Sequence, residues 1–560
     1  MTGLSSERRR RITHRGLPAL CGLALLAGGA GLVVGSQARS GAERTASRFA
    51  EAWELRDYRS MHKLLDEASR REHTLRELRA AYRRAAATAT ARGVEAGDPE
   101  EGRDGFVTVP MEVRTRVFGA VRADLQLPVN GERVTWGPLL AFPGLRRGEA
   151  LVRESEPPER APLLSRDGQV LAEGPADARS SPLEAIAGSI AGTLQPEETA
   201  QERRALYARG FPPGWPVGQN GLEHAFEGRL AGRPGGLLVA GERVLARARP
   251  RAARPLRTTI DTRLQEAAVT ALAGRFGGIA ALDARNGEIR ALAGIAFSAP
   301  QPPGSTFKIV TTVAALEAGL VEPSTEFPVE TAAIIDGVEL ENANGESCGG
   351  SFRNSFAHSC NSVFAPLGVE LGSEALVEAA ERFGWNQDPT VAGELPSTLP
   401  PSGEIETPLE VAATAIGQFR TLATPLMLAS VAQTIAAGGV RHVPTLALGE
   451  RARRVRVTSR DIAGTVGSLM VDAVDYGTGT AAALPGLKVA GKTGTAELED
   501  TRDPVTGESA PPDPSNTDAW FTAYAPARRP RLAVAVMLVR AGAGGATAAP
   551  AARVVLDSAL

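Results

Sequence analysis

The stretch PGSTFKIVTTVAALEAGL (residues 303–320) joins a Pro-Gly turn to a long apolar run. This pattern predicts a helix start, with Ser305 in the first turn and Lys308 three residues later on the same face. A hydroxyl beside an amine is what a Ser-Lys nucleophile requires, and a helix N-terminus offers free N–H groups to a developing oxyanion. S-x-x-K also describes an ordinary capped helix with a solvated lysine, so it needs support elsewhere in the chain.

Lysine is scarce in this chain. Of 62 Lys and Arg residues only four are lysines: Lys63, Lys308, Lys488 and Lys492. A lysine can lose its proton when it is partly desolvated, whereas an arginine effectively cannot. Where this arginine-rich chain has a lysine instead, that residue is a candidate catalytic or binding group. Lys308 and Lys492 are the first such candidates, because they lie in the two lysine-containing motifs.

An S-x-N element, Ser359-Cys360-Asn361, follows later in the chain. The Ser359 hydroxyl could relay a proton, and the Asn361 amide could hold a substrate carbonyl or the lysine. Taken alone the element means little, because Ser and Asn are common turn residues.

The third element, KTGT at residues 492–495, is predicted to lie on a strand edge. Lys492 and the hydroxyls of Thr493 and Thr495 could bind a substrate carboxylate, and the Thr495 N–H could complete an oxyanion hole. Gly494 removes a side chain where substrate would approach the strand. An ordinary strand with a solvated lysine explains this element equally well when it stands alone.

The three elements in this order form the signature of penicillin-binding proteins and class A β-lactamases. One competing motif overlaps the third: GLKVAGKT at 486–493 fits the phosphate-binding loop G-x-x-x-x-G-K-[ST]. That loop needs a helix opening at Lys-Thr, but Gly494 and a polar segment follow. The sequence contains no H-E-x-x-H zinc motif, and its six histidines are scattered along the chain.

Composition and charge narrow the class of protein. A chain of 560 residues predicts about three folded units, and a net charge of -2 argues against a nucleic-acid binder. No cysteine pair has C-x-x-C spacing. Cys348 and Cys360 could form one disulfide in an extracellular domain or remain two thiols, and Cys21 lies in the apolar N-terminal stretch.

The N-terminal sequence predicts that the chain after residue 35 lies outside the cytoplasm. Arg8–Arg11 and Arg15 precede an uncharged apolar stretch at 16–35, and about 20 helical residues span about 30 Å of bilayer. The basic tail 1–15 would stay in the cytoplasm, which makes 16–35 a single transmembrane anchor. A cleaved signal peptide is the alternative, and both place the remaining chain outside.

The rest of the chain divides into three predicted domains. Residues 42–145 combine helical periodicity up to about 92 with strands at 106–109, 113–121 and 125–129, which predicts a small α+β domain. Residues 146–256 are rich in Gly, Pro and Arg and predict an extended pedestal with short strands. Residues 257–560 predict a compact α/β domain, with a hairpin at 278–283 and 288–293 and later strands at 520–524 and 532–539.

Taken together, the chain resembles class B penicillin-binding proteins from 256 onward. The resemblance includes LRTTIDTRLQ (256–265), AIGQ (415–418), ATPLMLA (423–429), GTGT (477–480) and DAWF (518–521). Upstream, GLE (221–223) and LAG (230–232) resemble the pedestal, although Ala161 and Ser165 replace the Gly and Asp of its first motif. Residues 42–145 resemble the nuclear-transport-factor-two-like domain of the low-affinity, methicillin-resistance branch.

The resemblance implies a multidomain α+β protein whose C-terminal transpeptidase domain has a central antiparallel sheet. It implies a serine D,D-transpeptidase that acts on peptidoglycan stem peptides and is acylated by β-lactams, with neither metal nor organic cofactor. Lys308 would activate Ser305, Ser359 and Asn361 would assist, and Lys492, Thr493, Gly494 and Thr495 would bind substrate. A membrane glycosyltransferase partner is also implied, and no nucleic acid. A serine β-lactamase, a β-lactam sensor and a non-catalytic scaffold are the alternatives.

Overall fold

The computed structural model describes residues 39–102, 105–391, 393–499 and 513–560. They form two compact units. The first comprises the described part of Met1–Pro158 with Pro196–Trp215 and Gly232–Ala252, and the second comprises Glu159–Gln195, Pro216–Ala231 and Ala253–Leu560. The segment 146–256 contributes to both units, so the five-part domain division stays a prediction.

The predicted tail 1–15 and anchor 16–35 lie outside the described residues. In the part of the chain that the structure does describe, every helix is either too short or too polar to cross a bilayer.

The first unit packs helices against an antiparallel meander, as the sequence predicted for 42–145. Phe49, Trp53 and Tyr82 are buried between the two layers. Its helices are Gly41–Glu54, Tyr58–Lys63, Glu67–Glu72, Leu75–Ala89 and Ala200–Arg209. The meander strands are Ala91–Ala96, Glu100–Glu101, Phe106–Thr115, Ala120–Asn130 and Arg133–Val134, and a second sheet contains Leu151–Glu156, Gly235–Ala240 and Arg243–Ala248.

The predicted strand 113–121 is wrong. Val113 and Val121 face each other across a hairpin, with the turn between Thr115 and Ala120. Gly119 takes a φ of +71° there, and the Phe118 N–H donates to the Thr115 hydroxyl over 2.7 Å. The apolar residues at both ends of the segment face the same core. The alternation of apolar and polar residues in the sequence therefore continues through the turn, and one strand was predicted where there are two.

The second unit begins with a small three-stranded sheet and three short helices. The strands are Leu163–Leu164, Val170–Ala172 and Leu256–Arg257, and the helices are Glu184–Ala191, Gly221–Ala225 and Glu227–Leu230. A further pair of strands is Leu194–Pro196 and Pro216–Gly218.

A buried ion cluster holds this region together. Glu223 is fully buried and accepts hydrogen bonds from Arg160 and Arg179, each over 2.7 Å. Arg160 also reaches Glu227 at 2.8 Å. Charges without access to water are stable only when they are paired, and here the pairing connects residues distant in sequence.

The core of the second unit is a five-stranded antiparallel sheet with strand order β2-β1-β5-β4-β3. In chain order the strands are β1 (Gly277–Asp283), β2 (Ile289–Gly294), β3 (Ala490–Glu497), β4 (Thr517–Ala525) and β5 (Leu532–Leu538). The predicted hairpin at 278–293 and the strands at 520–524 and 532–539 are confirmed. Strands from the two ends of this segment thus form a single sheet, with β3 at its edge.

Among the described residues of this unit, eight helices surround the sheet: α1 (Thr262–Leu272), α2 (Lys308–Glu317), α3 (Phe352–His358), α4 (Asn361–Phe383), α5 (Pro408–Ala415), α6 (Pro425–Ala436), α7 (Arg460–Asp475) and α8 (Gly544–Ala559). Helices α1 and α8 pack on one face of the sheet and α6 on the other. Shorter strands are Glu326–Glu330, Ala332–Ile335, Val338–Glu341, Cys348–Ser351, Val440–His442 and Arg454–Arg456. Because both faces are covered, β1 and β5 are buried at every position rather than at alternate positions.

Replacing Glu223 by Gln should lower the free energy of unfolding by about 3–5 kcal/mol, because Arg179 would lose its carboxylate partner and Arg160 would keep only Glu227. Chemical denaturation followed by tryptophan fluorescence measures this change. Glu450→Gln is the matched control, since its pair with Arg229 is about half exposed and should contribute less than about 1 kcal/mol. Equal losses in both variants would contradict a stabilising role for the buried cluster.

Candidate active site

Ser305 lies in a tight helical turn, Gly304–Phe307, that leads directly into α2. Gly304 has a φ of +52°, and its N–H donates to the Gly417 carbonyl over 2.9 Å. A Cβ at position 304 would lie 2.5 Å from the Thr495 carbonyl oxygen. Only glycine fits between these two backbones, so the turn that carries Ser305 is held directly against β3. Ser305 itself is partly exposed.

Lys308, at the start of α2, joins the first two sequence motifs. Its side chain is completely buried, and its amine lies 2.8 Å from the Ser359 carbonyl oxygen and 2.6 Å from Asn361 Oδ1. The Ser359 hydroxyl is 3.3 Å away. A neutral amine can donate to the carbonyl and to Asn361 and still keep a lone pair. Lys308 is thus placed to accept a proton one helical turn from Ser305.

The charge state of Lys308 follows from its surroundings. Burial, together with the positive charge of Lys492, holds the pKa of the Lys308 amine well below its ordinary value of 10.5. Removing a lysine from water disfavours the charged form, and a second cation adds to the effect. The ring of Phe364 lies 5.1 Å from the amine, so one wall of its environment is aromatic.

The S-x-N segment is held in place from both sides. Ser359 ends α3 in the left-handed conformation, with φ of 62°, and Asn361 begins α4. Between them, Cys360 forms a disulfide with Cys348 across a Cα–Cα distance of 5.4 Å. The Asn361 amide donates to the Glu341 carbonyl over 2.7 Å. The disulfide, which the sequence left open, therefore anchors the centre of this motif.

The third motif lies on the edge strand β3. Lys492 is completely buried and its amine donates to the Thr493 carbonyl over 3.1 Å. Burial lowers the pKa of Lys492 to about 7. The strand continues through Lys492 and Thr493, where a phosphate-binding loop would open a helix.

The structure explains the glycine at position 494 differently from the sequence analysis. The sequence argument left room at this position for substrate. In the structure a Cβ there would lie 2.8 Å from the Pro303 carbonyl oxygen and 2.9 Å from the Thr306 methyl group. The missing side chain therefore allows β3 to approach the Ser305 turn.

The hydroxyls of the third motif point toward two other elements. Thr495 is partly exposed, and its hydroxyl accepts a hydrogen bond from the Gly544 N–H at the start of α8 over 3.3 Å. Thr493 is almost buried, with its hydroxyl 2.5 Å from that of Thr478.

Thr478 was not predicted as a site residue. Its N–H donates to the Ala357 carbonyl over 3.1 Å, just before Ser359. Gly477 packs so closely that a Cβ there would lie 2.2 Å from the same oxygen. Thr478 thus links the second and third motifs. The only sequence signal was the GTGT stretch itself, which carried no role.

The structure therefore brings all the predicted site residues into one cluster. Ser305 is beside β3, Lys308 contacts Ser359 and Asn361, and the charge of Lys492 acts on Lys308. A partly exposed hydroxyl one helical turn before a buried amine of lowered pKa suits nucleophilic attack on a carbonyl.

Two family models match the chain. The penicillin binding protein transpeptidase domain matches residues 277–557, and the NTF2-like N-terminal transpeptidase domain matches residues 41–149. The first match spans half of the chain and includes all the site residues described above.

Curated relatives point the same way. Peptidoglycan D,D-transpeptidase PbpA of Mycobacterium tuberculosis is 37% identical over 298 residues, covering 47% of this chain and 56% of that protein. Peptidoglycan D,D-transpeptidase MrdA of Acinetobacter baumannii is 28% identical, covering 61% of this chain and 60% of that protein. The matches thus span little more than half of these relatives.

Solved structures share the fold. A ceftriaxone acyl-enzyme complex of penicillin-binding protein A from M. tuberculosis aligns with a TM-score of 0.58 at 26% identity, covering 72% of this chain and 98% of that chain. The D,D-transpeptidase domain of a peptidoglycan glycosyltransferase from Eggerthella lenta aligns with a TM-score of 0.58 at 28% identity, covering 72% and 98%.

Replacing Lys492 by Gln should shift the pH dependence of acylation at Ser305. The rate constant for acylation by a β-lactam should rise with pH as Lys308 loses its proton, with a midpoint well below pH 10.5. Removing the Lys492 charge raises the pKa of Lys308, so the midpoint should move to higher pH. Stopped-flow acylation across a pH series measures the midpoint, which is independent of any loss of affinity.

Lys488→Gln is the control for this shift, because Lys488 is exposed and pairs with Asp475. It removes the same charge from the neighbouring surface and should leave the midpoint in place. An unchanged midpoint in Lys492→Gln would show that the two lysines are not coupled.

Proposed function

The chain belongs to the penicillin-binding protein transpeptidase family, and on this premise we propose that it is a D,D-transpeptidase that cross-links peptidoglycan stem peptides through an acyl-enzyme on Ser305. The observation that carries the proposal is the buried Lys308 amine, which contacts Ser359 and Asn361 one helical turn beyond Ser305. A neutral amine at this point supplies the base that a serine nucleophile lacks at neutral pH.

In the acylation step, the Ser305 oxygen attacks the penultimate D-Ala carbonyl of a donor stem peptide. Its proton passes to Lys308, and a new O–C bond forms. The N–H groups of Ser305 and Thr495 stabilise the oxyanion of the tetrahedral intermediate. The C–N bond to the terminal D-Ala then breaks, and the proton held by Lys308 reaches the leaving amine through the Ser359 hydroxyl.

The second step regenerates the serine. An amine from a neighbouring stem peptide attacks the acyl carbon and forms the cross-link. Lys308 takes up a proton from that amine and returns it to the Ser305 oxygen as the ester bond breaks. A β-lactam would acylate Ser305 by the first step and block the second.

The strand β3 is proposed to bind the donor end of the substrate. In this proposal the hydroxyls of Thr493 and Thr495 bind the terminal carboxylate, and the Thr478 hydroxyl, 2.5 Å from that of Thr493, orients it. Lys492 lies completely buried behind them, so it acts through its charge. Gly494 lets the strand lie against the Ser305 turn, which keeps the carboxylate site and the nucleophile at a fixed spacing.

Ser305→Ala should abolish covalent labelling by fluorescent penicillin, because no acyl-enzyme can form without the hydroxyl. Gel fluorescence after denaturation measures the label. Ser558→Ala is the matched control, since its hydroxyl donates to the Val555 carbonyl within α8. Labelling that persists in Ser305→Ala would remove Ser305 from the mechanism, and rapid release of label from the wild type would favour a β-lactamase.

We further infer that residues 16–35 anchor the chain in the cell membrane and that the body lies outside the cytoplasm. The basic flank and the uncharged apolar stretch support this inference. The disulfide Cys348–Cys360 also fits an oxidising compartment. A membrane glycosyltransferase partner is proposed for the same location, because cross-linking requires newly made glycan strands.

We assign the chain to the low-affinity, methicillin-resistance-type branch as a finer proposal. It rests on the likeness of residues 42–145 to the N-terminal domain of that branch and on the match at 41–149.

Deleting residues 1–38 should release the protein from membranes, because the apolar stretch is then missing. Extraction of the membrane fraction with alkaline carbonate separates anchored from peripheral protein, and an N-terminal tag reports cleavage. The full chain should stay in the pellet with its tag intact. Loss of the tag together with release into the supernatant would instead indicate a cleaved signal peptide.

A further inference from the structure

The first unit contains a cavity of about 870 Å³ that the proposed function does not use. One wall is the helix Leu75–Ala89, and the other is formed by Arg56 and Asp57 together with the start of the helix Tyr58–Lys63. Small apolar side chains, including Ala87, Ala91 and Ala208, line part of it. All of these residues belong to one compact unit.

The charges in this cavity are strongly one-sided. Five arginines line it: Arg56, Arg59, Arg76, Arg79 and Arg83. The one acidic lining residue is Asp57, whose carboxylate already accepts hydrogen bonds from the N–H and hydroxyl of Ser60. The ion pairs found among the described residues of this unit include none of the five arginines.

Three of the arginines form a stripe on one helix face. Arg76, Arg79 and Arg83 follow the spacing i, i+3, i+7, which places their side chains on one side of Leu75–Ala89. Like charges at this spacing destabilise a helix, and Arg76 stands in the first turn, where a cation opposes the helix dipole. A bound anion would relieve both effects.

The positive field continues beyond the lining residues. Burial, Arg92 and Arg209 together lower the pKa of Arg116. Arg92 follows the lining residue Ala91, and Arg209 follows Ala208. The net charge of the whole chain is only -2, so this concentration of arginine is local.

We propose that this arginine-lined cavity binds a phosphate group of an anionic ligand, as a phosphodiester or pyrophosphate. The planar guanidinium group pairs with phosphate through two parallel hydrogen bonds, which a lysine cannot reproduce. Several guanidinium groups facing one space favour a ligand with more than one negative charge. The alanine side chains would contact its less polar body, and the volume suits one ligand of that size. A lipid headgroup and a soluble phosphodiester polymer are the two sources of this chemistry.

The test compares two double variants of the full chain. Arg79→Gln with Arg83→Gln removes two charges from the cavity. Arg70→Gln with Arg71→Gln removes two charges from exposed positions of the same unit that do not line it. Binding of inorganic pyrophosphate and of a fluorescent glycerol-phosphate oligomer is measured by calorimetry and anisotropy. The circular dichroism spectrum and thermal unfolding of each variant report that it is folded, independently of ligand binding.

We expect the cavity variant to lose about tenfold or more in affinity, because each charge-assisted hydrogen bond contributes substantially. The variant with Arg70→Gln and Arg71→Gln, which leaves the cavity unchanged, should retain the wild-type affinity. Arg79→Lys with Arg83→Lys keeps the charge but not the paired geometry, so it should bind more weakly than the wild type. Vesicles of phosphatidylglycerol and of phosphatidylcholine then identify the source. The basic N-terminus also contributes to vesicle binding, but this contribution is the same in all variants and therefore does not affect the comparison between them.

Three results would overturn the proposal. The first is no binding of either phosphate probe by the wild type, and the second is an equal loss in both Gln variants. The third is binding of poly-glutamate as tight as that of the glycerol-phosphate oligomer, which would show a general anion site without preference for phosphate.

Discussion

The second unit is organised around one amine that has no access to water. Lys308 is enclosed by α2 and by the junction of α3 and α4, and its polar partners are the Ser359 carbonyl and Asn361. A buried amine without such partners would be strongly unfavourable. The hydrogen bonds therefore depend on two segments that lie far apart in the chain. Chemistry and stability coincide here, because the contacts that make the burial tolerable also hold the amine near Ser305.

Two glycines control how closely the remaining parts can approach that amine. Gly304 fits between the Gly417 backbone and β3, and Gly494 fits against the Pro303 carbonyl. A methyl group at either position would force the turn and the strand apart. The distance between the nucleophile and the strand proposed to bind the carboxylate is consequently fixed by backbone contacts rather than by flexible side chains. Backbone contacts of this kind preserve geometry better than surface side chains do, which is what a preorganised site requires.

Much of this arrangement was predictable from the sequence, for identifiable reasons. The turn and helix around Ser305, the hairpin at 278–293 and the strands of β4 and β5 all follow from local patterns of turn residues and apolar runs. Local patterns failed at 113–121, because the residues on both sides of the turn at Gly119 face one core. The role of Thr478 and the true reason for Gly494 were not predictable, because both depend on contacts between distant segments. The sequence also could not decide whether Cys348 and Cys360 form a disulfide, because a Cα separation cannot be read from spacing alone.

The order of strands in the sheet has a consequence for biosynthesis. Strand β5 follows the other four strands in the sequence, yet it lies in the middle of the sheet, between β1 and β4. While the chain emerges from the ribosome, the β1–β2 hairpin has no neighbour on its open side until Leu532–Leu538 is available. The sheet cannot close until β5 has been synthesised, and a chain truncated before β5 lacks its central strand. Assembly by such long-range pairing is slow, and it leaves unpaired strand edges open to aggregation in the meantime.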